Sequence, residues 1–114
     1  MSRLAELETS VRLTIGNPQT EGGSVFGPGI AALCDGVREL GSLNAAAKSM
    51  GMAYSKAWRI IKDTESALGI QLLIRDGAHG SSLTEEGSEL LDVYASIQKE
   101  LSQESTKLYQ KLCE

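Results

Sequence analysis

The sequence predicts a mainly helical fold with a small β component, and three observations lead to this prediction. Apolar residues recur at helical spacing in two stretches, 28–40 and 85–112. Between these stretches, residues 42–68 have the pattern of two short helices joined by a tight turn. Segments typical of strands lie at 11–16 and 72–75. A chain of 114 residues is long enough for one hydrophobic core but not for two.

Composition and charge exclude several classes of protein. Hydrophobic residues make up 41% of the chain and charged residues 23%, which is ordinary for a globular protein. The chain has no run of about 18 apolar residues, as a membrane helix would need. The opening MSRLAELETS lacks the apolar centre of a signal peptide, so we expect a cytoplasmic protein. Cys34 and Cys113 are too few and too far apart for a disulfide framework or a metal site, and we expect Cys34 to be buried.

The N-terminal region has the pattern of a β-hairpin. Apolar and polar residues alternate over 11–16, which indicates a half-buried strand. Asn-Pro and Gly-Gly pairs within 17–23 indicate a turn or a short loop, and residues 24–26 can supply the return strand. Because a two-stranded hairpin is marginally stable alone, we expect it to pack on the helices.

Residues 28–40 predict the first helix. Pro28 suits the first helical turn, and Gly41 suits the left-handed conformation that often ends a helix. The apolar positions share one face and comprise Ile30, Leu33, Cys34, Val37 and Leu40. We therefore expect this helix to be part of the core scaffold.

A helix-turn-helix pattern covers residues 42–68. Ser42 or Asn44 can cap its first helix, and the small Ala47 permits the two helices to cross closely. Gly51 allows the sharp reversal between them, because a residue without Cβ adopts positive φ at little cost. An αα-hairpin in any helical core would have the same spacing, so the spacing alone does not separate the two interpretations.

The second helix of this pattern, expected over 53–68, has two distinct faces. Its inner stripe comprises Ala57, Ile61, Thr64 and Leu68. Its outward face carries Tyr54, Ser55, Lys56, Arg59 and Lys62. Hydrogen-bonding and cationic groups of this kind reach base edges and phosphates, which favours a DNA-binding helix-turn-helix. Trp58 lies between the two faces, and we expect it in the core or half-buried rather than in contact with a ligand.

The distribution of charge is compatible with DNA binding, although the net charge is −4. Five basic and two acidic residues lie between positions 48 and 75, whereas seven acidic and three basic residues lie from position 84 onward. The middle of the chain is therefore basic and the C-terminal part acidic. Outside the second helix, we assign Lys48 and Arg75 to DNA contact.

Residues 72–84 have the pattern of a wing, a β-hairpin beside the recognition helix. A strand at 72–75 is followed by a loop with Gly77 and Gly80 and by a short returning strand. His79, the only histidine, lies in this loop. Contact with a phosphate or the minor groove and a merely solvated position fit His79 equally well. A metal role is not expected, because no second histidine or carboxylate pair lies nearby.

The longest predicted helix starts after Thr84, a favourable N-cap that two glutamates follow, and continues to about Leu112. A helix of about 28 residues would be about 42 Å long, which exceeds what this small domain needs. We expect a dimer interface formed by Leu90, Tyr94, Ile97, Leu101 and Leu108. The alternative is that the N-terminal half packs on its own domain and the C-terminal half frays. The expected organisation is a DNA-binding unit at 1–84 and a dimerisation helix at 85–114.

Residues 26–94 resemble the N-terminal DNA-binding domain of ModE-type molybdate-responsive regulators, which is itself similar to the LysR-type winged helix-turn-helix. The stretches that carry the resemblance are FGPGIAAL, GSLNAAAKSMGMAYSKAWRIIK, LTEEG and LLDVY. The resemblance implies a homodimer on a pseudo-palindromic operator, with one recognition helix per half-site in the major groove and the wings beside it. It also implies a set of DNA-facing residues, Tyr54, Ser55, Lys56 and Arg59, with Asn44 and Lys48 near the phosphates.

Two departures from this family limit what the resemblance implies. The wing sequence IRDGAHGSS differs from the longer glycine run that is frequent there. Full-length members continue into oxyanion-binding domains, whereas this sequence ends at Glu114 and nothing in it resembles a molybdate-binding stretch. We therefore expect no molybdate site and no cofactor in these residues.

Two other functions compete with DNA binding. A winged-helix protein–protein interaction module without specific DNA binding is favoured by the acidic net charge, but the lysine and arginine residues on one helix face speak against it. An enzyme is not expected, because one histidine and scattered acids assemble no catalytic set.

Overall fold

The computed structural model describes residues 3–77 and 80–114 and confirms a mainly helical fold with a small sheet. A short 3₁₀ helix (Arg3–Glu6) precedes four helices and two strands. In chain order these are α1 (Pro28–Leu40), α2 (Leu43–Ser49), α3 (Tyr54–Leu68), β1 (Leu73–Arg75), β2 (Ser81–Leu83) and α4 (Glu85–Leu112). Helices α1, α3 and α4 begin and end within about one residue of the positions that the sequence predicts.

The hydrophobic core surrounds α1, which contacts the other three helices and β2. The largest fully buried side chains are Phe26, Leu33, Leu43, Ile61, Leu72 and Leu73. The prediction for Cys34 is confirmed, since its side chain is fully buried in this core. Among the residues that the structure describes, no helix combines the length and the apolarity that crossing a membrane requires.

The predicted helix ends are formed by specific capping groups. Gly41 ends α1 in the left-handed conformation, with φ of 86°, and its N–H donates to the Val37 carbonyl oxygen. Of the two candidate caps for α2, the structure selects Ser42, whose Oγ accepts from the Ala45 N–H at 3.1 Å. Thr84 caps α4 in the same way and accepts from the Gly87 N–H at 2.8 Å.

The tight turn between α2 and α3 is centred on Gly51, as predicted. Gly51 has φ of 67°, in the region that favours glycine. The Ala47 carbonyl oxygen accepts from the Met50 and Met52 N–H groups at 3.0 and 2.9 Å, which closes the end of α2 onto the turn. This geometry confirms the helix-turn-helix pattern and fixes the direction in which α3 leaves the core.

The sheet is a two-stranded antiparallel hairpin that follows α3. Leu73 pairs with Leu83 and Arg75 with Ser81. The hairpin is attached to the start of α2, because the Leu43 N–H donates to the Ser81 Oγ at 3.2 Å. It is also attached to α3, whose Glu65 carboxylate accepts from the Leu72 N–H at 2.7 Å. The hairpin is therefore held against both helices of the helix-turn-helix.

The predicted N-terminal hairpin is reduced to one antiparallel bridge between Ile15 and Phe26 in the part of the chain that the structure describes. The alternation over 11–16 is real, because odd-numbered residues from 11 to 15 are half-buried and even-numbered ones exposed. The covering element, however, is α4 rather than a second strand. We call residues 4–15, which run along α4, the N-terminal arm.

Hydrogen bonds along most of its length hold the N-terminal arm to α4. They are Tyr109 Oη to the Leu4 carbonyl at 2.7 Å, Ser105 Oγ to Thr9 Oγ1 at 2.6 Å, Gln98 Nε2 to the Val11 carbonyl at 2.7 Å, the Leu13 N–H to Gln98 Oε1 at 3.1 Å, and Tyr94 Oη to the Leu13 carbonyl at 3.1 Å. The side chains of α4 thus supply the partners that a neighbouring strand would have supplied.

Helix α4 makes the molecule elongated. Its first half packs on α1, where the Arg38 guanidinium lies 2.8 Å from the Asp92 carboxylate and also donates to Ser88 Oγ at 2.6 Å. The radius of gyration is 17.0 Å and the extents are 59 × 33 × 22 Å. A compact chain of this length would have a radius of gyration of about 13 Å, so the far half of α4 extends beyond the core.

Candidate nucleic-acid interface

Helix α3 has one face buried in the core and an opposite face that is polar and exposed. Ala57, Ile61 and Thr64 are at most 1% exposed and face the core. The Thr64 hydroxyl is satisfied there, because it donates to the Ile60 carbonyl oxygen at 2.8 Å. At about 100° per residue, the opposite face carries Ser55, Arg59 and Lys62, which are all exposed. Within the described residues, the hydrogen-bonding groups of this face are unoccupied apart from an ion pair made by Lys62.

Every predicted DNA-contact residue that the structure describes is exposed. These residues are Asn44 and Lys48 on α2, Tyr54, Ser55, Lys56, Arg59 and Lys62 on α3, and Arg75 at the end of β1. Two of them, Asn44 and Tyr54, also line a recess. His79 lies outside the described residues. Lys56 lies about 60° around α3 from Arg59, on the side away from Lys62. Three of the exposed cations, Arg59, Lys62 and Arg75, line one groove between α3 and β1.

Trp58 forms the centre of a cluster that joins α3 to the hairpin. The Arg75 guanidinium carbon lies 4.7 Å from the centroid of the Trp58 ring, and Lys62 Nζ lies 5.3 Å from it. The Tyr54 ring meets Trp58 edge to face, with centroids 6.3 Å apart. Cations within about 6 Å of an indole face are attracted by its π electrons. The expectation that Trp58 is half-buried is confirmed.

A groove of about 540 Å³ lies between α3 and β1, beside this cluster. It is lined by Trp58, Arg59, Lys62, Gln71, Leu73 and Arg75. A smaller polar recess of about 240 Å³ continues toward α2, where Asn44, Tyr54 and Arg75 are among the lining residues. The two depressions share Arg75, so this side chain lies where the surfaces of α2, α3 and the hairpin meet.

Glu65, which forms an ion pair with Lys62, is engaged inside the chain. Glu65 accepts from the Leu72 and Leu73 N–H groups at 2.7 and 3.2 Å, and its side chain is only 11% exposed. Its second oxygen lies 3.4 Å from Lys62 Nζ. Two backbone N–H groups hold the carboxylate in the position from which it pairs with Lys62. On α3, β1 and the residue after β1, four exposed cations (Lys56, Arg59, Lys62 and Arg75) stand against two exposed acids (Asp63 and Asp76), so this surface has a net positive charge.

The five residues predicted for a dimer interface do not share one environment. Ile97, Leu101 and Leu108 are 39, 41 and 48% exposed. Leu90 is half-buried against the core, and Tyr94 belongs to the core of its own chain, with 6% exposure. The Tyr94 ring packs on Phe26 at 5.3 Å, and its hydroxyl donates to the N-terminal arm. Within its own chain Tyr94 therefore has an internal role, and its predicted part in a dimer interface stays a prediction.

Sequence reasoning missed some residues that the structure brings to these surfaces. Val93 and Leu112 are exposed on the same side of α4 as Ile97, at 44 and 81%. Their helical spacing was available as a signal. Gln71, whose side-chain amide donates to the Leu73 carbonyl oxygen at 3.0 Å, lines the groove beside Trp58. No sequence pattern indicates that role, because it depends on how β1 folds back along α3.

The comparison with known families agrees with this geometry. A sequence model described as bacterial regulatory helix-turn-helix protein, lysR family, matches residues 32–88, which is half of the chain. The match runs from the first turns of α1 through the helix-turn-helix and the hairpin to the start of α4. A comparison with curated proteins found no significant match. The chain belongs to the lysR family of bacterial regulatory helix-turn-helix proteins.

Proposed function

We propose that this chain is a transcription regulator that binds double-stranded DNA as a homodimer, with α3 as its recognition helix. Membership of the lysR family supports the general function, since a regulatory helix-turn-helix implies binding to duplex DNA. The finer proposal is a regulator of ModE type, and its support is the resemblance over residues 26–94. A protein that regulates transcription acts where the chromosome is, so the proposed location is the cytoplasm.

The observation that carries this proposal is the exposed face of α3. Ser55, Arg59 and Lys62 lie along it, opposite the buried stripe that faces the core. An α-helix fits into the major groove of B-DNA. There an arginine side chain recognises guanine, whereas a serine hydroxyl can bond to more than one type of base. We propose that Arg59 reads a base edge and that Lys62 contacts a phosphate. Tyr54, Lys56, Asn44 and Lys48 are proposed as additional contacts around this face.

The hairpin at 73–83 is proposed to act as a wing. It lies beside α3, and Arg75 at the end of β1 faces the groove between them. Because the hairpin is bonded to both Leu43 and Glu65, it is positioned relative to α3 before DNA arrives. A positioned cation loses less conformational entropy on binding than a free one.

Helix α4 is proposed to form the dimer interface. An exposed apolar stripe runs along it and comprises Val93, Ile97, Leu101, Leu108 and Leu112. This stripe borders the side of α4 from which Tyr94 and Gln98 bond to the N-terminal arm. Contiguous exposed apolar surface on an extended helix is typical of an association site. A second copy is the proposed occupant, because a two-fold pair would present two copies of α3 to a pseudo-palindromic operator. Residues 1–84 and 85–114 would then divide DNA binding from dimerisation.

The proposal is tested by DNA binding across a salt series. The purified protein is titrated with the DNA upstream of its own gene and with a random duplex of equal length. The proposed function predicts tighter binding to the upstream DNA, and a binding constant that falls steeply as salt rises. A folded protein that binds neither duplex at low salt would refute the proposal and leave the interaction module as the better interpretation.

Three variants test the assigned roles. Arg59→Ala should weaken binding to the operator by about 1–3 kcal/mol and reduce the preference over random DNA, because a lost base contact removes discrimination. Lys62→Ala should weaken binding to both duplexes equally and lower the salt slope by about 0.9. Lys99→Ala is the matched control, since Lys99 is an exposed cation on α4 away from this face. Equal small effects of all three substitutions would contradict the reading role of Arg59.

A further inference from the structure

We propose that Trp58 is a positioning residue that holds Arg75 of the hairpin beside Lys62 of α3, so that the two cations together bind one phosphate of the DNA backbone. The inference rests on the proposed function and assigns Trp58 a role in it. Neither the exposed polar face of α3 nor the family pattern implies this role, because Trp58 lies at the edge of that face and is half-buried.

The first support is the position of the two cations on one aromatic ring. Arg75 Cζ and Lys62 Nζ lie 4.7 and 5.3 Å from the Trp58 centroid, so they are at most about 10 Å apart. Both side chains line the same groove between α3 and β1. A phosphate placed in this groove can accept from the arginine fork and the lysine ammonium together.

The second support is the conformational entropy that Arg75 would lose on binding a phosphate. This loss is smaller if the Trp58 ring already restricts the side chain. Arg75 is the last residue of β1 and is exposed, and no salt bridge restrains it among the described residues. An arginine side chain in solution loses considerable rotamer entropy when it is fixed on a ligand. The attraction to the indole ring restricts the guanidinium in advance and uses none of its N–H groups as hydrogen-bond donors. The ring therefore prepares Arg75 for a phosphate without consuming its donors.

The third support comes from the indole nitrogen. Trp58 Nε1 is buried and has no hydrogen-bond partner among the described residues. Burying a donor without a partner opposes folding, and a phenylalanine would fill much of the same space without that penalty. What tryptophan supplies beyond phenylalanine is the stronger attraction of cations to its ring. The choice of tryptophan is thus explained by the cations on its face rather than by packing.

A double-mutant cycle tests the positioning role. The full chain, Arg75→Ala, Trp58→Leu and the double variant are titrated with one duplex across a salt series. We expect binding to weaken about tenfold for Arg75→Ala and about fivefold for Trp58→Leu. The double variant should be no weaker than about tenfold, because the ring acts through Arg75. A double variant about fiftyfold weaker, with independent losses, would overturn the proposal.

Two comparisons separate positioning from a merely structural effect. Trp58→Phe keeps an aromatic face of weaker attraction for cations and should recover part of the binding that Trp58→Leu loses. Lys56→Ala is the matched control, because Lys56 lies about 160° around α3 from Trp58 and makes no stacking contact with it in the described structure. Its effect should add to that of Trp58→Leu. A general distortion of α3 would instead make Lys56→Ala and Arg75→Ala couple equally to Trp58→Leu, and that result would refute the positioning role.

Fluorescence provides a measurement that leaves Trp58 intact. Trp58 is the only tryptophan, so tryptophan emission, excited at wavelengths that tyrosine does not absorb, reports this site alone. We expect Arg75→Ala to change the emission while far-ultraviolet circular dichroism stays the same, and DNA to change the emission of the wild type more than that of Arg75→Ala. Identical emission from both proteins, with and without DNA, would overturn the proposal. If the wild type bound no duplex at low salt, the proposed function would fail instead.

Discussion

Gly36 of α1 lies against Ala46 of α2, and its substitution by alanine provides a sharp test of the packing. A Cβ atom added to Gly36 would lie 2.7 Å from the Ala46 Cβ and 3.2 Å from the Ala46 Cα. Ordinary contacts between carbon atoms are about 3.5–4.0 Å. Gly36→Ala therefore requires the two helices to separate by about 1 Å or to bend.

The expected cost follows from this geometry and from a second glycine on the same helix. Overpacking a rigid contact costs about 1–3 kcal/mol, whereas replacing glycine by alanine within a helix is intrinsically favourable by up to about 1 kcal/mol. Gly29, also on α1, would place its added Cβ with no atom within 4 Å. Gly29→Ala should thus be neutral or stabilising, and Gly36→Ala should be less stable than Gly29→Ala by about 1–3 kcal/mol.

Urea unfolding of the two variants measures this difference directly, because both carry the same change in residue type. A third variant sharpens the test: Ala46→Gly removes the methyl group nearest to the new side chain. Combined with Gly36→Ala, it should cost less than the two single changes predict by addition. If Gly36→Ala were as stable as Gly29→Ala, the close crossing of α1 and α2 would be refuted.

Two further predictions concern α4 and the core. Ile97→Asp should turn the proposed dimer into a monomer, as measured by sedimentation equilibrium. Ser96→Asp is the control, because Ser96 is exposed on another side of the helix, and this variant should stay dimeric. If both variants had the same oligomeric state, the exposed apolar stripe of α4 would not be the interface. Burial, with a smaller contribution from the Glu65 carboxylate, raises the pKa of the Cys34 thiol from 9.0 to about 12. Because the unfolded thiol ionises first, the free energy of unfolding should be undiminished below pH 9 and fall between pH 9 and 12, by about 2 kcal/mol near pH 10.5. Urea unfolding at about pH 8 and about pH 10.5 checks this, and Cys34→Ala should lack that part of the loss.

The helices could be predicted from the sequence because local signals agreed with the burial pattern. Apolar spacing in α1, a left-handed glycine at Gly41 and the threonine cap at Thr84 each act within one or two turns. The N-terminal hairpin could not be predicted reliably for the opposite reason. Alternation over 11–16 indicates that one side of a strand is covered, but it does not identify the covering element.

The candidate site was predictable only in part, and the reason is again the range of the interactions. The exposed residues of α3 follow from its periodicity, so Arg59 and Lys62 could be placed on one face. The contact of Arg75 with Trp58 joins positions separated by the end of α3 and a turn, and depends on how the hairpin folds back. Tyr94 shows a related limit, since apolar spacing on α4 does not tell a face that meets its own core from one that meets a partner.

The N-terminal arm has a consequence for how freely this protein can change. Most of its hydrogen bonds to α4 use its backbone: Gln98 and Tyr94 bond to the peptide groups of Val11 and Leu13, whereas the bond between Thr9 and Ser105 uses an arm side chain. Recognition of backbone atoms does not depend on residue type. The arm can therefore exchange most of its outward side chains while it keeps its place, which makes it a segment where new surface chemistry can evolve or be engineered beside a stable core.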